Sequence, residues 1–175
     1  LFDLIFTWNK DYVDNKKFFW FPTIHGYKLS DLPIKKGIGH KNRLVSLISS
    51  NKVSTHKLEL YSKRKEIIDW FEINAPNDFD LYGYDWEKIV IRKPRLLKIF
   101  KKLKIEKRFF NLSLKTYKGE ISDKRNILEK YKFSFSLENA ININGYITEK
   151  IFDCFVSGTI PIYLGSNSIY DFVPK

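Results

Sequence analysis

The pattern of this chain predicts an α/β domain built as a doubly wound parallel sheet. Short apolar runs alternate with segments whose apolar residues recur at helical intervals, the arrangement that generates parallel strand–helix–strand units. The last of these units is punctuated at both ends: Thr148 stands where a helix cap belongs and Gly158 follows the helix. Ligands of such sheets bind beyond the carboxyl ends of the strands, so the residues that follow each strand are the first place to look for function.

Taken in order, Leu1–Trp8 is apolar, broken mainly by Asp3, and reads as a buried strand. Asn9–Gly39 reads as irregular, with Pro22, Gly26, Pro33, Gly37 and Gly39 marking turns. Arg43–Ser49 is the next strand and ends in Ser50-Asn51. Lys57–Phe71 reads as a helix whose Leu60, Ile67, Ile68 and Phe71 share one face, with Arg64 interrupting that apolar stripe. Phe79–Tyr82 is a short strand closed by Gly83. Ser122–Lys130 is a helix with Ser122 or Asp123 near its start. Lys132–Leu137 is a strand, Glu138–Tyr146 a loop, Glu149–Ser157 a helix, and Thr159–Leu164 a strand ended by Gly165.

A length of 175 residues suits one domain with a real core, and the 43% hydrophobic and 17% aromatic fractions argue for a packed globule. The chain has no Met and opens directly on an apolar run, so it reads as a piece of a longer product. The net charge of +11 favours anionic partners, whether nucleic acid, acidic membrane or phosphorylated small molecules. One cysteine, Cys154, excludes an internal disulfide; in its apolar helical setting it reads as a small core residue. No apolar run of about 18 residues is present, so no membrane span is predicted. The compartment stays open. A single cysteine fits a bacterial or viral cytosolic protein somewhat better than a disulfide-bearing one of the Golgi.

The chemistry concentrates between Tyr131 and Gly165. A strand delivers Glu138 and Asn139 to its C-terminal end, and a helix starts after Thr148. Free N–H groups at a helix start attract anions. Lys150 lies in the first turn, where the macrodipole disfavours a cation unless an anion sits between, and a diphosphate would serve. Glu149 suits ribose hydroxyls, and Tyr146 brings an aromatic face and a hydroxyl beside them. Taken alone, Thr148-Glu149-Lys150 reads first as solvated surface charge.

Other signals are weaker. Asp78-Phe79-Asp80 matches a bare metal-binding D-x-D, but Asp80 runs into the Tyr82-Gly83 turn without neighbouring ligands, and no metal is expected. His25, His40 and His56 lack ligand spacing. Arg92–Arg108 is strongly basic, with Leu96, Leu97, Ile99, Phe100 and Leu103 at helical intervals. It reads first as a core-packing helix with a solvated basic face, second as an anionic membrane contact; no nucleic acid is expected. Asn111-Leu112-Ser113 fits a glycosylation acceptor only in a secretory compartment.

The ordered array Tyr131-Lys132-Phe133, Glu138-Asn139, Tyr146-Ile147-Thr148-Glu149-Lys150 and Gly158-Thr159-Ile160-Pro161-Ile162-Tyr163-Leu164-Gly165 resembles the signature of the α-1,3-fucosyltransferase family, glycosyltransferase family 10. The resemblance is dense from Tyr117 to Pro174. It is patchier upstream, at Phe2–Thr7, Ser50-Asn51, Ser62-Lys63-Arg64 and Asp80–Gly83. It implies the Rossmann-like donor half of a two-domain GT-B enzyme, with residues 1–40 a remnant of the acceptor domain and linker and residues 41–175 the donor domain. It further implies inverting transfer of fucose from GDP-fucose to a glycan acceptor, without a cofactor or a metal for donor binding. By position, Arg64 and Lys150 would bind the diphosphate, Tyr146 and Glu149 the nucleoside side, and Glu138 with Asn139 the fucose pocket. The catalytic base belongs to the N-terminal domain in this family. None is assigned here, and this chain alone is expected to be inactive.

Overall fold

The computed structural model describes residues 2–21, 37–87 and 113–174. The Arg92–Arg108 segment, Asn111 and Leu112, His25 and the turns at Pro22, Gly26 and Pro33 lie outside the described residues.

Among the described residues six strands and three α-helices follow one another: β1 (Ile5–Thr7), β2 (Phe18–Trp20), β3 (Arg43–Ile48), α1 (Tyr61–Asn74), β4 (Phe79–Tyr82), α2 (Lys124–Leu128), β5 (Tyr131–Leu137), α3 (Glu149–Val156) and β6 (Ile160–Leu164). The main sheet has the order β4-β3-β5-β6, and every pair in it is parallel. From β3 the chain steps outward to β4, then returns past β3 to β5 and continues to β6. The direction of winding therefore reverses between β3 and β5, and a crevice opens at such a point beyond the strand ends. This is the doubly wound α/β sheet that the strand–helix alternation predicts.

Alternation along the strands separates two faces. Val45 and Leu47 of β3 pair with Phe79 and Leu81 of β4, and together with Ile68 of α1 and Trp86 they form a buried cluster. Phe71 of α1 stacks on Phe79 at 4.5 Å between ring centroids. Each such side chain contributes about 1.5–3 kcal/mol when fully buried, so this face is the main source of cohesion. On the other face the Ser46 and Ser134 hydroxyls meet at 3.0 Å, in the neighbourhood of Cys154 from α3. There the buried Lys41 ammonium donates to the carbonyls of Glu129 (3.1 Å) and Ser157 (3.0 Å) and to the Thr159 hydroxyl (3.0 Å). It thus ties together the carboxyl ends of α2 and α3, the ends that favour a cation. Among the described residues β6 is the last strand on its side of this sheet; it carries Pro161, with Ile160 and Ile162 exposed.

Several elements differ from expectation. Leu1–Trp8 is not a buried strand: only Ile5–Thr7 is extended as strand, and Phe2 and Phe6 are 81% and 65% exposed. Its partner β2 falls inside the span read as irregular, and the parallel pair stands apart from the main sheet. A two-stranded sheet has no central position, so its faces are covered only by what packs beside it, here the rings of Phe19 and Phe21 against Phe6. Helix α1 starts at Tyr61 rather than Lys57, because Glu59 bridges Ala140 and Leu60 donates its N–H to the Asn139 carbonyl at 3.0 Å. Those contacts hold residues 57–60 outside the helix. Asp123 caps α2, accepting from the Asn126 N–H at 3.2 Å.

Candidate functional site

A cleft of about 490 Å³ lies at the carboxyl end of the main sheet, at the reversal point. β3 leads into it through Ile48, Ser49 and Ser50, β4 through Gly83, and β5 through Asn139. Gly83 has φ +130°, and a Cβ there would meet the Ser49 carbonyl oxygen at 2.0 Å. Only glycine lets these two strand ends close the floor of the cleft. Among the described residues the cations on its wall are Lys52, Arg64, Lys124 and Lys150, and the carboxylate is Glu149. Such an excess of fixed positive charge in a concave site suits an anion.

Arg64 is where the apolar stripe of α1 places it, 5% exposed beneath the strand ends. Its Nη2 donates to the carbonyls of Leu137 and Glu138, both at 2.8 Å, and to the Asn139 side chain at 3.1 Å. Its Nη1 faces the Ser49 hydroxyl at 3.3 Å, on the cleft side. Burial works against the charge and lowers its pKa from the ordinary value, while nearby Tyr61 and Glu138 act the other way. Arg64 therefore braces the end of β5 with one nitrogen and offers the other to the cleft.

Asn139 lines the cleft, and its amide also donates to the Tyr146 hydroxyl at 3.3 Å. Tyr146 stands behind Asn139, packed against Trp8 at 5.1 Å between centroids. Burial, with Glu138 nearby, raises the pKa of its phenol. The backbone holds this contact close: Gly145 has φ +80°, and a Cβ there would lie 2.1 Å from the Trp8 carbonyl oxygen.

Glu149 and Lys150 open α3 and both line the cleft. The Glu149 carboxylate lies 3.6 Å from Lys150 and 3.7 Å from Lys124. Burial pushes its pKa up, but Lys150 first among the opposing groups, and Lys124 further off, hold it below the usual carboxylate range. Thr148 occupies the cap position, yet its hydroxyl makes no capping bond to the helix. Instead it donates to Glu138 at 2.6 Å and accepts from Lys150 at 2.8 Å.

Glu138 departs furthest from the sequence expectation. It is fully buried and does not line the cleft. Its carboxylate accepts the Thr148 N–H at 2.8 Å, the Thr148 hydroxyl, and the Lys150 ammonium at 3.3 Å. The anion that makes a cation tolerable in the first turn of α3 is thus supplied by the protein itself.

Sequence reasoning missed Lys52, Lys124 and Tyr61 as cleft residues. Lys124 carried a usable signal, since it too is a cation at the first position of a helix, where the dipole disfavours it. Nothing in the sequence marks Lys52. Asp80 of the D-x-D pattern is buried, accepts the Tyr131 hydroxyl at 2.6 Å and pairs with Arg43 at 3.3 Å. Among the described residues no group of three or more metal-ligating side chains comes together.

The model of glycosyltransferase family 10 (fucosyltransferase), C-terminal part, matches residues 38–175. The chain is 48% identical over 56 residues to the α-(1,3)-fucosyltransferase FucT of Helicobacter pylori, a match covering 31% of this chain and 12% of that protein. It is 48% identical over 49 residues to the GDP-fucose protein O-fucosyltransferase 3 of Gallus gallus, covering 28% of this chain and 10% of that protein. A solved α1,3-fucosyltransferase with GDP superposes with a TM-score of 0.54 at 19% identity, over 97% of this chain and 49% of that one. A second α1,3-fucosyltransferase structure gives 0.52 at 20% identity, over 97% and 48%. Those two likenesses establish a shared fold. The chain spans about half the length of these solved relatives, and the matched segments about a tenth of the curated ones.

Proposed function

This chain belongs to glycosyltransferase family 10, and on that premise we propose that it is the donor-binding half of an inverting fucosyltransferase that takes GDP-fucose and serves a glycan acceptor. Residues 41–175 form the donor domain in this reading, and residues 1–40 belong to the acceptor side and its linker. The observation that carries it is the cleft at the reversal point, where Lys52, Arg64, Lys124 and Lys150 surround one carboxylate. A nucleoside diphosphate matches that arrangement: cations for the two phosphates, and Glu149 for the ribose hydroxyls at its edge.

The chemistry follows from charge. Breaking the bond between the anomeric carbon and the diphosphate leaves negative charge on the departing GDP. Cations already fixed in place stabilise that charge without reorganising, which lowers the barrier. In this reading Lys150 at the start of α3 and Nη1 of Arg64 serve as those cations, with Lys124 and Lys52 adding to the field; all four residues line the cleft. No side chain of this chain is assigned as the base for the acceptor hydroxyl, and binding without transfer is the expected behaviour of the chain alone. No metal is needed for donor binding in this reading.

Calorimetric titration with GDP tests it. Lys150→Ala removes one charge-assisted hydrogen bond, worth about 1.5–3 kcal/mol, and should weaken GDP binding by about 10- to 100-fold. Absence of GDP binding by the folded protein, or binding indifferent to Lys150→Ala, refutes the proposal. Competition by UDP and CMP sugars separates a guanine-specific site from another nucleotide-sugar transferase on the same fold.

A further inference from the structure

We infer that Glu138 is a positioning residue for Lys150, holding the ammonium at the mouth of α3 rather than contacting the sugar. The inference deepens the donor-site reading and rests on it only for the role given to Lys150.

A fully buried carboxylate needs its acceptor capacity filled, and among the described residues Glu138 fills it from the start of α3. The Thr148 N–H and hydroxyl take one oxygen each. Lys150 reaches the second oxygen at 3.3 Å and the Thr148 hydroxyl at 2.8 Å. The three groups form a closed triangle, Glu138–Thr148–Lys150, with the two carboxylate bonds to Thr148 fixing its orientation.

Two effects compete in such a triangle. The negative charge of Glu138 partly cancels Lys150 toward an incoming phosphate. Against this, the first turn of a helix repels a cation, and a long lysine side chain that is not held samples many rotamers. With the carboxylate removed, the remaining ion-pair partner of Lys150 among the described residues is Glu149 at 3.6 Å, which is half exposed. Ordering outweighs cancellation here, because Glu138 lies beneath the ammonium and leaves its outer side, one quarter exposed, directed at the cleft.

Two readouts test this. The first does not involve nucleotide: competitive acetylation of amines with acetic anhydride, read at Lys150 by mass spectrometry. Glu138→Gln should raise the labelling of Lys150 several-fold while other lysines stay unchanged. The second is GDP affinity, which Glu138→Gln should weaken about tenfold. Lys150→Ala and the double variant should bind GDP equally, because the two residues act as one. Should Glu138→Gln not fold, Thr148→Val removes the bridging hydroxyl and is expected to give the same changes. Unchanged Lys150 labelling overturns the inference, and so do losses that multiply in the double variant. If the wild-type protein binds no GDP, the function proposed above fails while the labelling result still decides this one.

Discussion

At the scale of single residues, burial decides chemistry. Cys154 is 2% exposed, and burial, with Asp153 adding to it, pushes its thiol up from 9.0 to about 12. A thiol raised in the folded state stabilises fully below the unfolded pKa and loses that contribution as pH rises through the folded one. The stability difference between wild type and Cys154→Ala should therefore be constant below pH 9.0 and shrink toward about 12, as urea denaturation at stepped pH will show. Iodoacetamide should modify Cys154 only after unfolding, since the thiolate is the reactive form. The core character of Cys154 was legible from its apolar helical setting, and the burial of Arg64 from its place in the stripe of α1. The task of Glu138 was not. It depends on the end of β5 meeting the start of α3, and no local pattern encodes that distance.

At the scale of elements, long side chains fasten helices to the segments beside them. Glu72, near the end of α1, accepts the backbone N–H groups of Lys115 (3.0 Å) and Thr116 (2.8 Å) and the Thr116 hydroxyl. Thr116 is fully buried and its carbonyl accepts from Leu81 of β4. Glu72→Ala leaves these donors without an acceptor, and a loss of about 1–3 kcal/mol is expected in the urea unfolding free energy. Burial raises the Glu72 pKa, but the hydrogen bonds from Thr116 outweigh it and the net shift is downward from 4.5. The stabilisation is present above that ordinary value and lost as pH falls through the depressed one, so Glu72→Gln should flatten the acid limb of stability. Helix and strand types in the main sheet were legible because each carries its own period. The start of α1 was not, since the Glu59–Ala140 bridge overrides a helical pattern that continues upstream. β2 escaped notice because three residues are too few to show alternation.

At the scale of the whole molecule, the cleft couples binding to stability. A ligand that binds only the folded state at 100 times its Kd adds about 2.7 kcal/mol. For a chain of this size that raises Tm by about 5–11 °C. Saturating GDP should produce a shift of that order, equal with and without EDTA. A shift that EDTA abolishes counts against metal-independent donor binding. The α/β class was legible from alternation alone, whereas the strand order that locates the cleft was not, because alternation fixes the sequence of elements and leaves their lateral placement free. One feature of that order bears on behaviour in concentrated solution. A sheet edge offers unpaired backbone groups to any second copy, and at β6, the last strand on its side among the described residues, the apolar Ile160 and Ile162 would make the offer attractive. Pro161, set between them, has no N–H to donate and interrupts such a ladder at its middle. Mutual repulsion between copies carrying +11 acts in the same direction. The edge can thus stay apolar without becoming a template for strand-to-strand polymerisation.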